Sequence, residues 1–170
     1  VEEKSGRAGR LCFVKVEHEI HGPEGLAIRE EQDIVYRDVT PGAAAAAAPP
    51  APTNAAWRRA WTFDSPRLFR YSALTFNSHR IHYDRDYAMR EESYPGLVVH
   101  GPLLATLMLE LVRTQTPGRT VRRFEFRAMA PVFDGQPVHA CGAPDGDGGA
   151  QLWIQAGSGA AHMRGSVALA

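Results

Sequence analysis

The stretch Leu103-Leu-Ala-Thr-Leu-Met-Leu-Glu-Leu-Val112 constrains this chain more than any other. It follows Gly101-Pro102 and stops at Thr116-Pro117-Gly118, so it reads as a helix with clear ends. It is apolar nearly all round, and such a helix must be wrapped on most sides by other structure. At half the length of a membrane span, and carrying Glu110, it is a core helix rather than a transmembrane one. After it come only strand signals. Val121 to Ala128 alternates, and Gln136 to Cys141, Gln151 to Gln155 and His162 to Leu169 follow, separated by turns rich in Gly and Asp. One buried helix followed by four antiparallel strand candidates predicts an α+β domain, a curved sheet wrapped around a helix. Pro144-Asp-Gly-Asp-Gly-Gly149 lacks the Lys of a phosphate-binding loop and reads as a hairpin turn.

Ahead of this domain the seam is Pro41-Gly-Ala-Ala-Ala-Ala-Ala-Ala-Pro-Pro-Ala-Pro52, whose prolines cannot continue a helix. Residues 39–56 are expected to be a linker between a piece at 1–38 and a domain at 57–170. In the first piece Cys12, Val14, Val16, His18 and Ile20 share one strand face, and Lys15, Glu17 and Glu19 share the other. His21-Gly-Pro-Glu-Gly25 turns the chain, and Leu26 to Tyr36 resumes a strand. A lone hairpin is marginal in water, so it is expected to lie on a further sheet, from residues before Val1, from the second piece, or from a partner chain. Without an opening Met, the chain is expected to be trimmed or incomplete.

The 19 basic and 19 acidic side chains cancel, which gives no field to attract nucleic acid or an anionic membrane. Apolar residues at 44% and charged ones at 22% exclude wholesale disorder. No signal peptide is read, and Cys12 and Cys141 are too few for a disulfide framework, so a reducing cytoplasm is expected. Cys141, with no charged neighbour to stabilise a thiolate, is expected to be inert.

The chemistry concentrates in Tyr71 to Ala88. Ser65-Pro66 starts a short helix whose one face holds Leu68, Tyr71, Ser72 and Thr75. The following loop puts Asn77, His79, Arg80, His82 and Asp84 close together in sequence. His82 can take and return a proton near neutral pH, and Asn77 can hold a water but cannot ionise. The bland alternative is that Asn77 and His79 brace the loop and that His82 is a hydrogen-bonded histidine. His79-x-x-His82 with His100 lacks the cysteines or carboxylates of structural zinc spacing, so no metal is expected. Met89 to Glu92 reads as a solvated segment.

Leu74-Thr75 leading into Phe76-Asn77-Ser78-His79-Arg80-Ile81-His82, with Ala88 closing the pattern, resembles the signature of MaoC-like R-specific enoyl-thioester hydratases and dehydratases. Tyr94-Pro-Gly-Leu-Val-Val-His-Gly-Pro-Leu-Leu-Ala105 is similar to that family's Val-His-Gly approach to its central helix. Asn77 stands where the family carries an acidic residue, and His79-Arg80 where it carries Asn-Pro. The wording of the loop resembles a sub-branch of mitochondrial type 2 hydroxyacyl-thioester dehydratases and mesaconyl- or itaconyl-CoA hydratases, whose likeness implies that Asn is compatible with the chemistry.

The resemblance implies a hotdog fold, here the C-terminal part of a double hotdog in which residues 1–38 are the last hairpin of a preceding repeat. It implies reversible hydration of a 2-enoyl thioester carried by CoA or acyl carrier protein, with mesaconyl- or itaconyl-type dicarboxyl-CoA among the substrates. No cofactor is implied, and the expected assembly is a homodimer or larger homo-oligomer. His82 would be the base, serving both proton steps, Asn77 would orient the water, and the Gly101 N–H would face the thioester oxygen. His79, Arg80, Tyr83, Val99 and His100 are the candidate substrate contacts. Arg80 has an ion pair with Asp84 or Asp86 as its alternative, and His100 a structural place in the turn before the helix. Two rival functions stand beside this one. A hotdog thioesterase would need a carboxylate near the helix end, for which Glu91, Glu92 and Glu110 are the weak candidates, and a non-catalytic acyl-CoA-binding subunit would need no base.

Overall fold

The computed structural model describes residues 1–6, 9–37, 47–146, 148–157 and 159–170, and the chain divides into two units at Ala45 and Ala46. In the second unit the apolar helix runs over Gly101–Gln115, with Leu104, Ala105, Leu107, Met108, Leu111 and Val112 buried. A five-stranded antiparallel sheet packs against it. In chain order after the first unit's three strands, its members are β4 (Trp57–Trp61), β5 (Val121–Ala128), β6 (Val138–Pro144), β7 (Gly149–Ala156) and β8 (Ala160–Leu169), arranged β4-β6-β7-β8-β5. Val138, Ala140, Leu152, Ile154, Met163 and Val167 from this sheet and the helix side chains form one core. This is the curved sheet around a central helix that the hydrophobic pattern predicts.

Two further helices lie between β4 and the central helix: α1 (Ser65–Leu74) and α2 (Arg85–Arg90), so the central helix is α3. α1 is capped by Asp64, whose carboxylate accepts the Arg67 N–H at 3.0 Å, one residue before the Ser65-Pro66 start signal. The expected solvated segment at Met89–Glu92 instead begins inside α2, with Met89 and Arg90 exposed.

Close approach decides where α3 can sit. A Cβ on Gly165 of β8 would lie 2.6 Å from the Glu125 carbonyl of β5 and 3.4 Å from Met108 Cε of α3. Gly165→Val therefore has to force β5 and β8 apart beneath the helix. The expected loss is on the order of 3 kcal/mol, a large part of a domain's stability. Urea unfolding monitored by tryptophan fluorescence measures it.

Of the linker, residues 39–46 lie outside the described residues. Its proline-rich end is not a free spacer. The Pro49 carbonyl accepts the Ala161 N–H at 2.8 Å, the Ala51 N–H donates to Gly159, and Ala51 packs on Cys141, Ala143 and Trp153 on the sheet face away from α3. Extended proline-rich backbone keeps its carbonyls available, which suits it to this edge contact.

The first unit is a three-stranded meander: β1 (Glu2–Gly6), β2 (Gly9–Gly22) and β3 (Gly25–Arg37), all antiparallel. The expected hairpin is β2–β3, paired in the register Val14 to Ile34 and Ile20 to Ile28. β1 is an addition that its polar sequence hides. Among the described residues no helix is long and apolar enough to cross a membrane.

Candidate active site

The loop after α1 is shaped by an unusual backbone. Phe76 takes φ 53°, a left-handed conformation that is costly for a bulky residue, and leaves its ring 94% exposed. The reversal returns the Asn77 N–H to the Ser72 carbonyl at 2.9 Å. Asn77 Oδ1 then accepts the His79 N–H at 3.0 Å, and the Tyr83 hydroxyl donates to the Ser78 carbonyl at 3.0 Å. A 3-10 turn over Arg80–His82 follows. Asp84 closes the segment, accepting from the Tyr87 N–H as the α2 cap and from the Arg80 guanidinium at 2.7 Å.

This bracing aims His82 inward, where it is 8% exposed. Its Nδ1 lies 2.8 Å from the Val98 carbonyl, so Nδ1–H donates and the lone pair is on Nε2, which has no hydrogen-bond partner among the described residues. Val98 is held in turn, its N–H bonded to the Ile81 carbonyl at 3.0 Å. Next to it, the Val99 N–H donates to Val132 and the Leu97 N–H to Asp134 Oδ1 at 2.9 Å, with Arg85 paired to the same carboxylate. The chain before α3 is thus fixed on both sides.

His100 is fully buried and stacks on His82, ring centroids 3.8 Å apart at 18°. Its Nε2 lies 2.8 Å from Ser72 Oγ, while its Nδ1 has no hydrogen-bond partner among the described residues. Burial pushes the His82 pKa below its ordinary value; the Val98 bond opposes this and the nearby His79 adds to it. His100 is pushed down to about 4 by burial and by His82. Both rings are therefore neutral at pH 7. Gly101 is the first residue of α3 and Pro102 the second, and the first intrahelical bond runs from the Leu104 N–H to His100. The Gly101 N–H accordingly lies outside the helical ladder, at the positive end of the helix dipole.

The structure brings His79, His82 and His100 ring to ring, with Gly101 the next residue in the chain. Other expected contacts are placed differently. Arg80 is paired with Asp84 and lies over the Tyr87 ring at 4.2 Å, and the Tyr83 hydroxyl braces the loop. The Val99 side chain belongs to the core, so only its backbone borders this region. Among the carboxylates considered for hydrolysis, Glu110 is paired with Arg113 and Arg59, and Glu92 accepts from the Tyr87 hydroxyl. No group of three metal-ligating side chains that could hold an ion occurs among the described residues. Sequence reasoning missed the Val98 carbonyl, Asp134 and the bond from Ser72 to His100. Only Ser72 left a signal, as a hydroxyl on the apolar face of a short helix.

Fold and site together define a hotdog domain with a buried histidine, its tautomer fixed, beside the open N-terminus of the central helix. The sequence profile of hydroxyacyl-thioester dehydratase type 2 matches residues 1–134. The chain belongs to that family. It is 52% identical over 150 residues to the mesaconyl-C(4)-CoA hydratase of Chloroflexus aurantiacus, an alignment that takes in 86% of this chain and 52% of that protein. The chain spans about half the length, or less, of the curated relatives it matches. Among solved structures, HtdX from Mycobacterium tuberculosis superposes with a TM-score of 0.75 at 21% identity, over 99% of this chain and 65% of that one. The (R)-hydratase of A. caviae involved in PHA biosynthesis superposes with a TM-score of 0.58 at 25% identity, over 66% of this chain and 90% of that one.

Proposed function

We propose that the protein catalyses reversible hydration of a 2-enoyl thioester to a 3-hydroxyacyl thioester. The observation that carries this is His82: buried, neutral at pH 7, with Nδ1 spent on Val98 and Nε2 free beside the α3 N-terminus. Hydration needs a base for water at C3, a proton for C2 and a donor for the enolate oxygen. His82 Nε2 takes the water proton and, in syn addition, returns it to C2. The Gly101 N–H and the helix dipole meet the developing charge on the thioester oxygen. Because Asn77 Oδ1 is already bonded to the His79 N–H, Asn77 has its Nδ2–H left to hold the water oxygen.

Incubation with crotonyl-CoA tests the reading. Loss of enoyl absorbance with no thiol release supports a hydro-lyase; thiol release means a thioesterase, and binding without turnover means an acyl-CoA-binding subunit. Asn77→Asp keeps the oxygen that braces the loop, and its second oxygen can hold the same water by accepting a hydrogen from it instead of donating to it. It is expected to retain activity within about tenfold, read from kcat on the same substrate, if orientation is all that Asn77 supplies.

For the acyl group we favour a C4 or C5 dicarboxyl-CoA, supported by the 52% identity to a protein named for mesaconyl-C4-CoA. A panel of enoyl-CoAs containing mesaconyl- and itaconyl-CoA decides it. We also assign residues 1–38 to the end of a preceding hotdog repeat, with the working enzyme an oligomer of such pairs. The β1-β2-β3 meander has the neighbour order of β6-β7-β8. One of its faces carries Val14, Val16, Ile20, Ile28 and Ile34, and Ile20 and Ile28 are half exposed. A cytoplasmic location fits Cys12 and Cys141, both free thiols.

A further inference from the structure

We infer that His100, fixed by Ser72, is a positioning residue that holds the His82 ring in plane and links it to the backbone donor at Gly101. The inference rests on reading His82 as the base. Packing alone does not explain an imidazole at position 100. A fully buried polar ring that makes one hydrogen bond and leaves Nδ1 unpartnered costs more than an apolar ring of the same shape.

What the ring does is visible in its contacts. His82 is tethered at one point, by Nδ1 to the Val98 carbonyl, and a single hydrogen bond leaves a ring free to tilt about it. The His100 ring, centroid 3.8 Å away and nearly parallel, stacks against one face and restricts that freedom. Tyr71 of α1 meets His100 edge-on at 4.7 Å, and Ser72 one residue later holds Nε2, so two neighbouring side chains of one helix set the stacking ring. The backbone of His100 is the α3 cap, and the residue after it is the proposed oxyanion donor. One residue therefore touches the base with its ring and is covalently joined to the donor.

The stack also keeps water from one face of His82, and burial is the largest cause of its lowered pKa. The groups facing His82 are few. His79 lies edge-on at 5.6 Å and His100 is stacked. Asp84 is engaged by Arg80, Arg85 by Asp134, and the first two turns of α3 carry no charge.

The test follows His82 by NMR titration of its imidazole, which needs no substrate, alongside the pH profile of kcat/KM. His100→Ala is expected to raise the His82 midpoint toward the ordinary 6.5 and to carry the acid limb of kcat/KM up with it. It should also lower kcat on the order of tenfold or more through lost orientation. His100→Phe restores a stacking ring and is expected to bring midpoint and limb back down. Ser72→Ala is expected to lower kcat with little change in KM, and the double variant with His100→Phe to behave as His100→Phe alone, because phenylalanine needs no partner. An unmoved midpoint in His100→Ala overturns the proposal in favour of plain packing. Loss in His100→Phe as deep as in a His82 variant overturns it in favour of a direct proton-transfer role. Should His100→Ala fail to fold, Ser72→Ala and its double variant still decide. If the wild-type protein hydrates no enoyl-CoA, the reading of His82 as base fails, while the titration still tests the stack.

Discussion

His82→Ala is expected to lower kcat for enoyl-CoA hydration on the order of a thousandfold, with a much smaller change in KM. The size follows from how alone this group is. The position five residues before it is Asn77, which cannot ionise, and His100, held to about 4, is a poor base at pH 7. Of the three carboxylates weighed for hydrolysis, Glu110 and Glu92 are engaged elsewhere and Glu91 is exposed at the end of α2. The variant also strands the Val98 carbonyl, which loses its 2.8 Å bond, and uncovers the His100 ring. That should cost about 1–3 kcal/mol, so thermal unfolding must accompany the kinetics. A folded variant that keeps even a tenth of wild-type kcat removes His82 from the mechanism.

How much of this was legible in the sequence depends on how local each cause is. α3 was legible because its apolar positions run nearly all round and Gly101-Pro102 marks its start. β5 was legible because Arg123 to Ala128 alternates polar and apolar residues, with a register shift between Val121 and Arg123. β4 was not: Trp57-Arg-Arg-Ala-Trp61 is short and charged, and becomes a strand only by pairing with β6 while its tryptophans pack on the core. β1 likewise owes its strand to the register it makes with β2.

The site divides the same way. His82 and Asn77 stand out by residue type and close spacing, and the resemblance gave them roles. What aims them was hidden, because Ser72 to His100, His82 to Val98 and Leu97 to Asp134 span 28, 16 and 37 residues. A pattern read along the chain has no access to such contacts. Arg80 is legible in another way: of the two ion-pair partners its spacing allows, Asp84, four residues on, is the one it has.

Gly101→Pro is expected to lower kcat on the order of a hundredfold or more, by removing the hydrogen-bond donor at that position. Proline is well tolerated at the first residue of a helix, where its missing N–H is outside the ladder. The residue before it must be extended, and His100 already is, at φ −58° and ψ 131°. Apart from its chain neighbours, a Cβ at position 101 meets nothing within 4 Å. Position 101 itself precedes Pro102, which disfavours a side chain in helical conformation there, so some loss of melting temperature is expected in the proline and alanine variants alike. Gly101→Ala separates the cause, since it adds volume at the same point and keeps the N–H. Loss in the proline variant far beyond that in the alanine variant identifies the backbone donor as the group that meets the developing enolate. Equal losses in the two would mean that position 101 matters for the room it leaves, and the oxyanion donor would have to be sought elsewhere in the site.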